Sequence, residues 1–193
     1  MISKISNGMK HKTIKEKEKE AYEKMKDAFH YKNPMAAPRV KKVAISSGTC
    51  EKVKKDKGRN DLVLDRLSKI TGQKGALRGA KQSIASFKIR KGDPVGVIAT
   101  LRGDRMYAFL EKLINIALPR TKDFRGISPS AVDNVGNLTL GIREHTIFPE
   151  TADEDIRDVF GLSVTLVSTA KNKEEGLAFF ELLGVPFKKA GQK

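Results

Sequence analysis

The sequence predicts an α+β fold, a mainly antiparallel sheet with helices packed on one face and a basic hairpin protruding from it. Short apolar runs of strand character alternate with stretches of helical apolar spacing along the whole chain. The linkers between them are short and hairpin-like, which favours antiparallel neighbours. One window, Arg66 to Gly92, carries eight cations (Arg66, Lys69, Lys74, Arg78, Lys81, Lys88, Arg90 and Lys91) and no acid. Its centre, GQKGALRGAKQSIASFKIRKG, is too rich in Gly and small polar residues for a core helix but is flanked by apolar runs that can anchor it.

The first element is a helix from Thr13 to His30, with Ile14, Ala21, Tyr22, Met25, Ala28 and Phe29 on one apolar face and a favourable Glu20–Lys24 pair on the other. Asn33-Pro34 is expected to end it, because the residue before proline avoids the α region. A strand follows Pro38, with Val43, Ile45 and Ser47 on one face and Lys42, Ala44 and Ser46 on the other, closed by Gly48. Asn60 is placed to cap a second helix through Thr71, whose inward stripe is Val63, Leu67 and Ile70 and whose C-terminal glycine is Gly72. After the basic window, VGVIATL reads as a central strand, turned by Arg102 and Gly103. Asp104 is the candidate cap of a third helix with Met106, Phe109, Leu110, Leu113 and Ala117 inward and Pro119 beyond. Residues 119–150 hold too many Gly and Pro for long regular elements, and only Leu138, Leu140 and Ile142 alternate as a strand. Residues 162–169 form another strand, and Asn172 with Glu175 predicts a capping box for a last helix ending near Gly184-Val185-Pro186.

A chain of 193 residues suits one compact domain with a real core, divided here into a basic N-terminal tail, residues 1–12, and a single domain over residues 13–193. No stretch approaches the roughly 20 apolar residues of a membrane span, and Lys4, Lys10 and Lys12 lack an apolar region behind them. The expected address is cytoplasmic, with no membrane partner. The net charge of +15 is unevenly spread: +7 over residues 1–42, +1 over 43–65, +8 over 66–92, 0 over 93–150 and −1 over 151–193. A basic half joined to a neutral half points to a nucleic-acid face beside a protein-facing or solvent face.

Several chemistries lack their residues. Cys50 is the only cysteine and is expected to be a packing residue, and His11, His30 and His145 sit in no metal-ligand spacing, so neither a metal nor a cofactor is expected. GQKGALRGAKQS fails the glycine spacing of a phosphate loop. Gly72-Gln73-Lys74-Gly75 is a GxxG, but a strand and not the second helix of a KH domain should follow it. Glu144 and His145 are neighbours expected on opposite faces of a surface segment, and no nucleophile with a base is assembled locally. Without Trp and with 6% aromatic residues, base stacking is poorly provided for, leaving phosphate and shape recognition by Lys and Arg. The alternative class is a basic RNA-modifying enzyme or its RNA-targeting subunit, with acid and base drawn from distant positions.

The segment DFRGISPSAVDNVGNLTLGIREHTIFPE resembles the bacterial form of the large-subunit ribosomal protein L-five family, which binds 5S ribosomal RNA. GQKGALRGAKQSIASFKIRKGDPVGVIATLRGDRMYAFLEKLINIALPRTKDFRG is similar to that family's middle, and GLSVTLVSTAKNKEEGLAFFELLGVPFKK to its end, so the likeness is collinear over about residues 13–189. The resemblance implies a curved antiparallel sheet, assembly into the central protuberance beside large-subunit rRNA and neighbouring 5S-binding proteins, and binding without catalysis. It implies 5S rRNA contacts at Ile45, Ser46, Ser47 and Gly48, helped by Gln73, Lys74, Thr100 and Arg102, and the nearby Lys69 is assigned to the same face. It implies that the loop Gly79 to Phe87 reaches the P-site tRNA, which assigns Arg78, Gly79, Lys81 and Ser83 to the tRNA. Other loops are implied to meet a small-subunit head protein at an intersubunit bridge. Ser46 stands where the family commonly has Asn, and Val135 and Leu138 stand where an Arg and an aromatic residue are more common.

Overall fold

The period-two alternation of the apolar runs is realised as five strands: β1 (Val40–Gly48), β2 (Ala76–Gly79), β3 (Pro94–Leu101), β4 (Leu138–Ile142) and β5 (Leu162–Ser168). In the computed structural model, which describes residues 12–49, 58–122, 124–152 and 158–188, they form one open sheet of order β2-β3-β1-β5-β4. Every neighbouring pair is antiparallel. β1 is the middle strand, β3 is interior beside it, and β2 and β4 are the edges. Cys50 and the first eleven residues, with most of the expected tail, lie outside the described residues.

The helices are α1 (Ile14–Phe29), α2 (Arg59–Thr71), α3 (Gly103–Lys112) and α4 (Lys173–Leu183). α3 continues through a wider π-type turn at Leu113–Ala117 and a last turn at Leu118–Arg120. Their inward stripes, among them Ile14, Met25, Leu67, Ile70, Phe109, Leu113, Phe179 and Phe180, join Val43, Ile45, Val97, Leu101, Val164 and Leu166 of the sheet in one buried core. The sheet side chains between these remain partly or fully exposed, so helices cover one face only.

Local details depart from the sequence expectations where a side chain finds a better partner. α1 ends at His30, whose left-handed backbone (φ 52°) donates its N–H to the Lys26 carbonyl, four residues before Pro34, and Ala28 is exposed. Asn33 instead opens a short turn by accepting from the Met35 N–H at 2.9 Å. Asn60 lies inside α2, where its Oδ1 accepts from the Thr49 hydroxyl at 2.5 Å, and Gly58 holds the cap position. Asp104 sits within the first turn of α3 and pairs with Lys15, leaving Arg102 as the cap residue. At α4 the cap position is Asn172 as expected, but no box forms: Glu175 accepts from the Lys171 N–H at 2.7 Å and from the Tyr31 hydroxyl. The complete capping box is at α1, between Thr13 and Glu16. His145 is fully buried in a short turn, not at the surface: its ring stacks on Phe160 at 4.1 Å and its Nδ1 accepts the Phe160 N–H at 3.3 Å.

Candidate nucleic-acid interface

The uncovered face of the sheet is paved with small side chains. Register places Thr100, Ala44, Thr165 and Thr139 in one cross-strand row, and Ala76, Ile98, Ser46, Ser163 and Gly141 in the next. Within the first row the hydroxyls of Thr139 and Thr165 are 3.2 Å apart. Lys42 and Arg102 follow one step past the last β1–β3 pair, Val43 with Leu101, on the same side by strand alternation. Ile98 is the one large apolar residue in these two rows, so a folded partner can approach the sheet closely.

The sequence-assigned residues divide on this frame. Ser46, Thr100 and Arg102 belong to the open side, and Gly48 continues the surface with nothing within 4 Å of the position a Cβ would take. Ser47 does not: its side chain is buried and its hydroxyl donates to the Gly161 carbonyl at 2.8 Å, because strand alternation turns it inward. At the end of α2, Gly72 adopts φ 66°, a left-handed conformation that glycine reaches without Cβ strain, and the turn brings Gln73 back over β3. Gln73 donates from Nε2 to the Thr100 carbonyl at 3.1 Å, which ties two assigned residues together. Lys74 is exposed beside them, and Lys69, also exposed, pairs with Asp65 at 3.0 Å one turn earlier. The Lys69–Asp65 pair spends part of that charge within the helix.

The basic window folds as the expected hairpin, and all four residues of β2 are exposed. The loop beyond is ordered by its own backbone. Ala80 and Gly92 close its base, with the Gly92 N–H donating to the Ala80 carbonyl at 3.0 Å, and Ile84 and Ile89 exchange N–H···O bonds of 3.0 and 3.2 Å nearer the tip. Ser83 accepts from the Lys91 N–H at 3.0 Å, so that hydroxyl braces the loop. Lys81 is exposed on it, while Ile84 and Phe87 are exposed apolar residues at 44% and 53%. Arg78 is not on this tip. It lies in β2 opposite Gly96, which itself pairs with Gly48, so the row next to Ser46 reads Arg78, Gly96, Gly48. The strand breaks register only after it, between Arg78 and Gly79. Sequence reading missed Arg78, Lys42, Ser163 and Thr165 as members of one surface, because alternation gives a residue's face but only register gives its neighbours.

At the opposite end, Asp133 closes a turn by accepting from the N–H groups of Val135 (3.0 Å) and Asn137 (2.7 Å) and from the Asn137 side chain (2.9 Å). The Asn137 side chain first, and the backbone N–H groups with it, hold the Asp133 carboxyl below its ordinary range. This turn leaves Val135 61% exposed, while Leu138 is in the core. Among the described residues no group of three or more His, Cys, Asp or Glu could hold a metal, and no helix is long and apolar enough to cross a membrane.

Comparison with known families agrees with this geometry over nearly the whole chain. The model described as ribosomal protein L5 matches residues 33–90, and the model of the same ribosomal family's C-terminus matches residues 94–187. A relative named large ribosomal subunit protein uL5, from Desulfatibacillum aliphaticivorans, is 52% identical over 166 residues, 86% of this chain and 92% of its own length. Proteins of the same name from Halothermothrix orenii and Acaryochloris marina are each 47% identical, over 85% and 87% of this chain and 91% and 92% of their own lengths.

Proposed function

The chain belongs to the ribosomal protein L5 family and is a protein of the large ribosomal subunit rather than an enzyme, and from that premise we propose that its open sheet face binds 5S rRNA. The observation that carries the reading is the surface on which Ser46, Gly48, Thr100 and Gln73 meet: small groups and exposed backbone flanked by Arg102, Lys42 and Lys74. Small polar groups and backbone can follow the shape of folded RNA, and the cations neutralise its phosphates. In this role Ser47 acts through its backbone and not its hydroxyl, and Lys69 adds charge at the rim.

The hairpin loop, with Gly79, Lys81 and Ser83, is assigned to the P-site tRNA; its support is a self-bonded loop standing clear of the sheet with exposed cations. Large-subunit rRNA and neighbouring 5S-binding proteins complete its place in the central protuberance of a cytoplasmic ribosome. Other loops of the protein are assigned to a small-subunit head protein across the intersubunit bridge. The single domain of residues 13–193, with residues 1–12 as a basic tail, is the unit assembled there. A salt titration of 5S rRNA binding tests the central claim. With five to eight phosphate contacts, log K falls against log salt with a slope of about −4 to −7, and a salt-insensitive affinity would overturn it.

A further inference from the structure

The helical layer holds a pocket that none of the assignments above uses. It encloses 430 Å³ between α1, α3 and the turn before β1, with Tyr22, Tyr107, Ala37 and Pro38 as apolar walls and with Lys19 and Arg39 in its lining. That volume falls within the range of ligand pockets, roughly 300–1,000 Å³. Tyr22 and Tyr107 belong to helices that cover the other face of the sheet from Ser46 and Thr100, so RNA on the open face leaves the pocket uncovered.

Its floor is preset by its own hydrogen bonds. Glu18, the one carboxylate in the lining, accepts from the Tyr107 hydroxyl at 2.7 Å and from the Val40 N–H at 3.1 Å, which ties α1 to α3 and to the start of β1. Burial first, and the bond to Glu18 with it, push the Tyr107 hydroxyl up to about 12, so it remains a donor at neutral pH. Lys15 pairs with Asp104 and lies over the Tyr107 ring, 5.1 Å from its centroid. Lys19 and Arg39 are exposed and form no salt bridge among the described residues. Glu16 and Glu23, one turn either side of Lys19, lie outside the lining. Arg39 donates from Nη2 to the Met35 sulfur at 3.2 Å, which holds the guanidinium beside a methionine that is 73% exposed. With Glu18 and Asp104 set against Lys15, Lys19 and Arg39 the site is net positive, and both acids are already bound to donors of the protein.

The same contacts choose the occupant. Lys15 takes one face of the Tyr107 ring, and the hydroxyl and carboxylate of the floor bond each other, so a nucleobase finds neither a clear stacking surface on that ring nor an edge to read. Tyr, Pro and Ala walls bury an aliphatic side chain without demanding a hydrogen bond from it, and the exposed methionine at the rim adapts to its shape. Lys19 and Arg39 call for carboxylates on either side of that anchor. The chain's own N-terminal tail does not supply them: residues 1–12 carry Lys4, Lys10 and Lys12 and no acid, so like charge opposes its entry.

We propose that this pocket docks an acidic peptide segment of a protein partner, with an aliphatic side chain between Tyr22, Tyr107 and Pro38 and flanking carboxylates on Lys19 and Arg39. The site stands apart from the 5S rRNA reading, and the test keeps the two separate. The full chain and the double variant Lys19→Gln, Arg39→Gln are titrated with acetyl-Glu-Glu-Leu-Glu-Glu-amide, followed at the backbone amides by NMR. The same titration is run with the peptide carrying Gly for Leu, with its Lys-flanked counterpart and with a short oligouridylate, and 5S rRNA affinity is measured in parallel. The acidic leucine peptide should shift the amides of Ala37, Arg39 and Tyr107 and bind at least about fivefold more tightly than the glycine and lysine peptides. The double variant should lose about five- to tenfold for it, the worth of two exposed ion pairs, and keep 5S rRNA affinity within about twofold. Equal affinity of the variant or of the glycine peptide overturns the proposal, as does the absence of shifts at those three amides at millimolar peptide. Tighter binding of oligouridylate at the same amides also overturns it and makes the pocket a nucleotide site. A loss of 5S rRNA affinity in the double variant would put Lys19 and Arg39 on RNA and overturn it as well.

Discussion

On one face of the sheet Val43, Ile45, Leu101, Val164 and Leu166 are almost wholly buried, whereas Ala44, Ser46, Thr100, Ser163 and Thr165, alternating with them on the same strands, stay partly open. The first set fills the space beneath four helices and carries stability through the area it removes from water. The second set has no helix above it, so packing within the chain does not dictate its size. Bulky β-branched or aromatic residues would suit strands as well. Small hydroxyl and methyl groups stand there instead, as the proposed close approach of RNA requires.

The largest expected effect breaks the buried side. Ile45→Ala, at a site with 0% exposure, should cost about 2–5 kcal/mol through lost burial and a residual cavity, while Thr165→Ala on the open side should stay within about 0.5 kcal/mol. Urea midpoints at constant m-value measure both, and equal losses would erase the distinction between the faces. The next effect compares two glycines of one row. A Cβ on Gly96 would lie 2.8 Å from the Ser47 carbonyl oxygen, whereas one on Gly48 meets nothing. Gly96→Ala should therefore cost about 1–3 kcal/mol by forcing the backbone to shift. Gly48→Ala should fold with unchanged stability and weaken 5S rRNA binding alone, because its methyl covers backbone the RNA needs to approach. A Gly48→Ala protein with full affinity would show that the backbone there is not approached.

Much of this division was legible beforehand. Strand alternation separated Val43, Ile45 and Ser47 from Lys42, Ala44 and Ser46 without saying which set faced the core, so Ser47 was grouped with the RNA contacts although it is buried, and helical spacing identified the inward stripes of α2 and α3. What was not legible depended on distant partners. Asn60 looks like a cap until Thr49 claims its carbonyl, Glu175 looks like half of a box until the Tyr31 hydroxyl reaches it, and His145 looks exposed until Phe160 stacks on it. Arg78 falls in the same class, since only the β2–β3 register places it beside Gly96 and Gly48.

That register sets a smaller comparison, between strand and loop cations of one hairpin. Arg78→Gln should lower 5S rRNA affinity about three- to tenfold and flatten the salt slope by about 1, the signature of one lost phosphate contact. Lys81→Gln, two residues past the register break in the exposed loop, should leave 5S binding unchanged and weaken tRNA binding. Equal loss of 5S affinity from both would merge the loop with the sheet face.

The smallest effect lies at the exposed turn of Asp133, where a charge orders backbone without supporting the core. Its carboxyl titrates below the ordinary value of 3.8 because the Asn137 side chain and the N–H groups of Asn137, Val135 and Gly136 favour the ionised form. A depressed folded-state pKa contributes stability that is complete above the unfolded value and lost as pH falls through the folded one. The turn should therefore hold from neutrality to about pH 4 and loosen below it, and solvent screening at this exposed site keeps the effect too small to move global unfolding. Amide exchange reads it directly: at neutral pH, Asp133→Ala should speed exchange at Val135 and Asn137 and leave Ser46 and Thr100 unchanged. Protection at those two amides that persists in Asp133→Ala would mean that the 2.7 Å and 3.0 Å bonds to the carboxylate do not hold the turn, and that the Gly136–Asp133 backbone bond of 3.1 Å suffices.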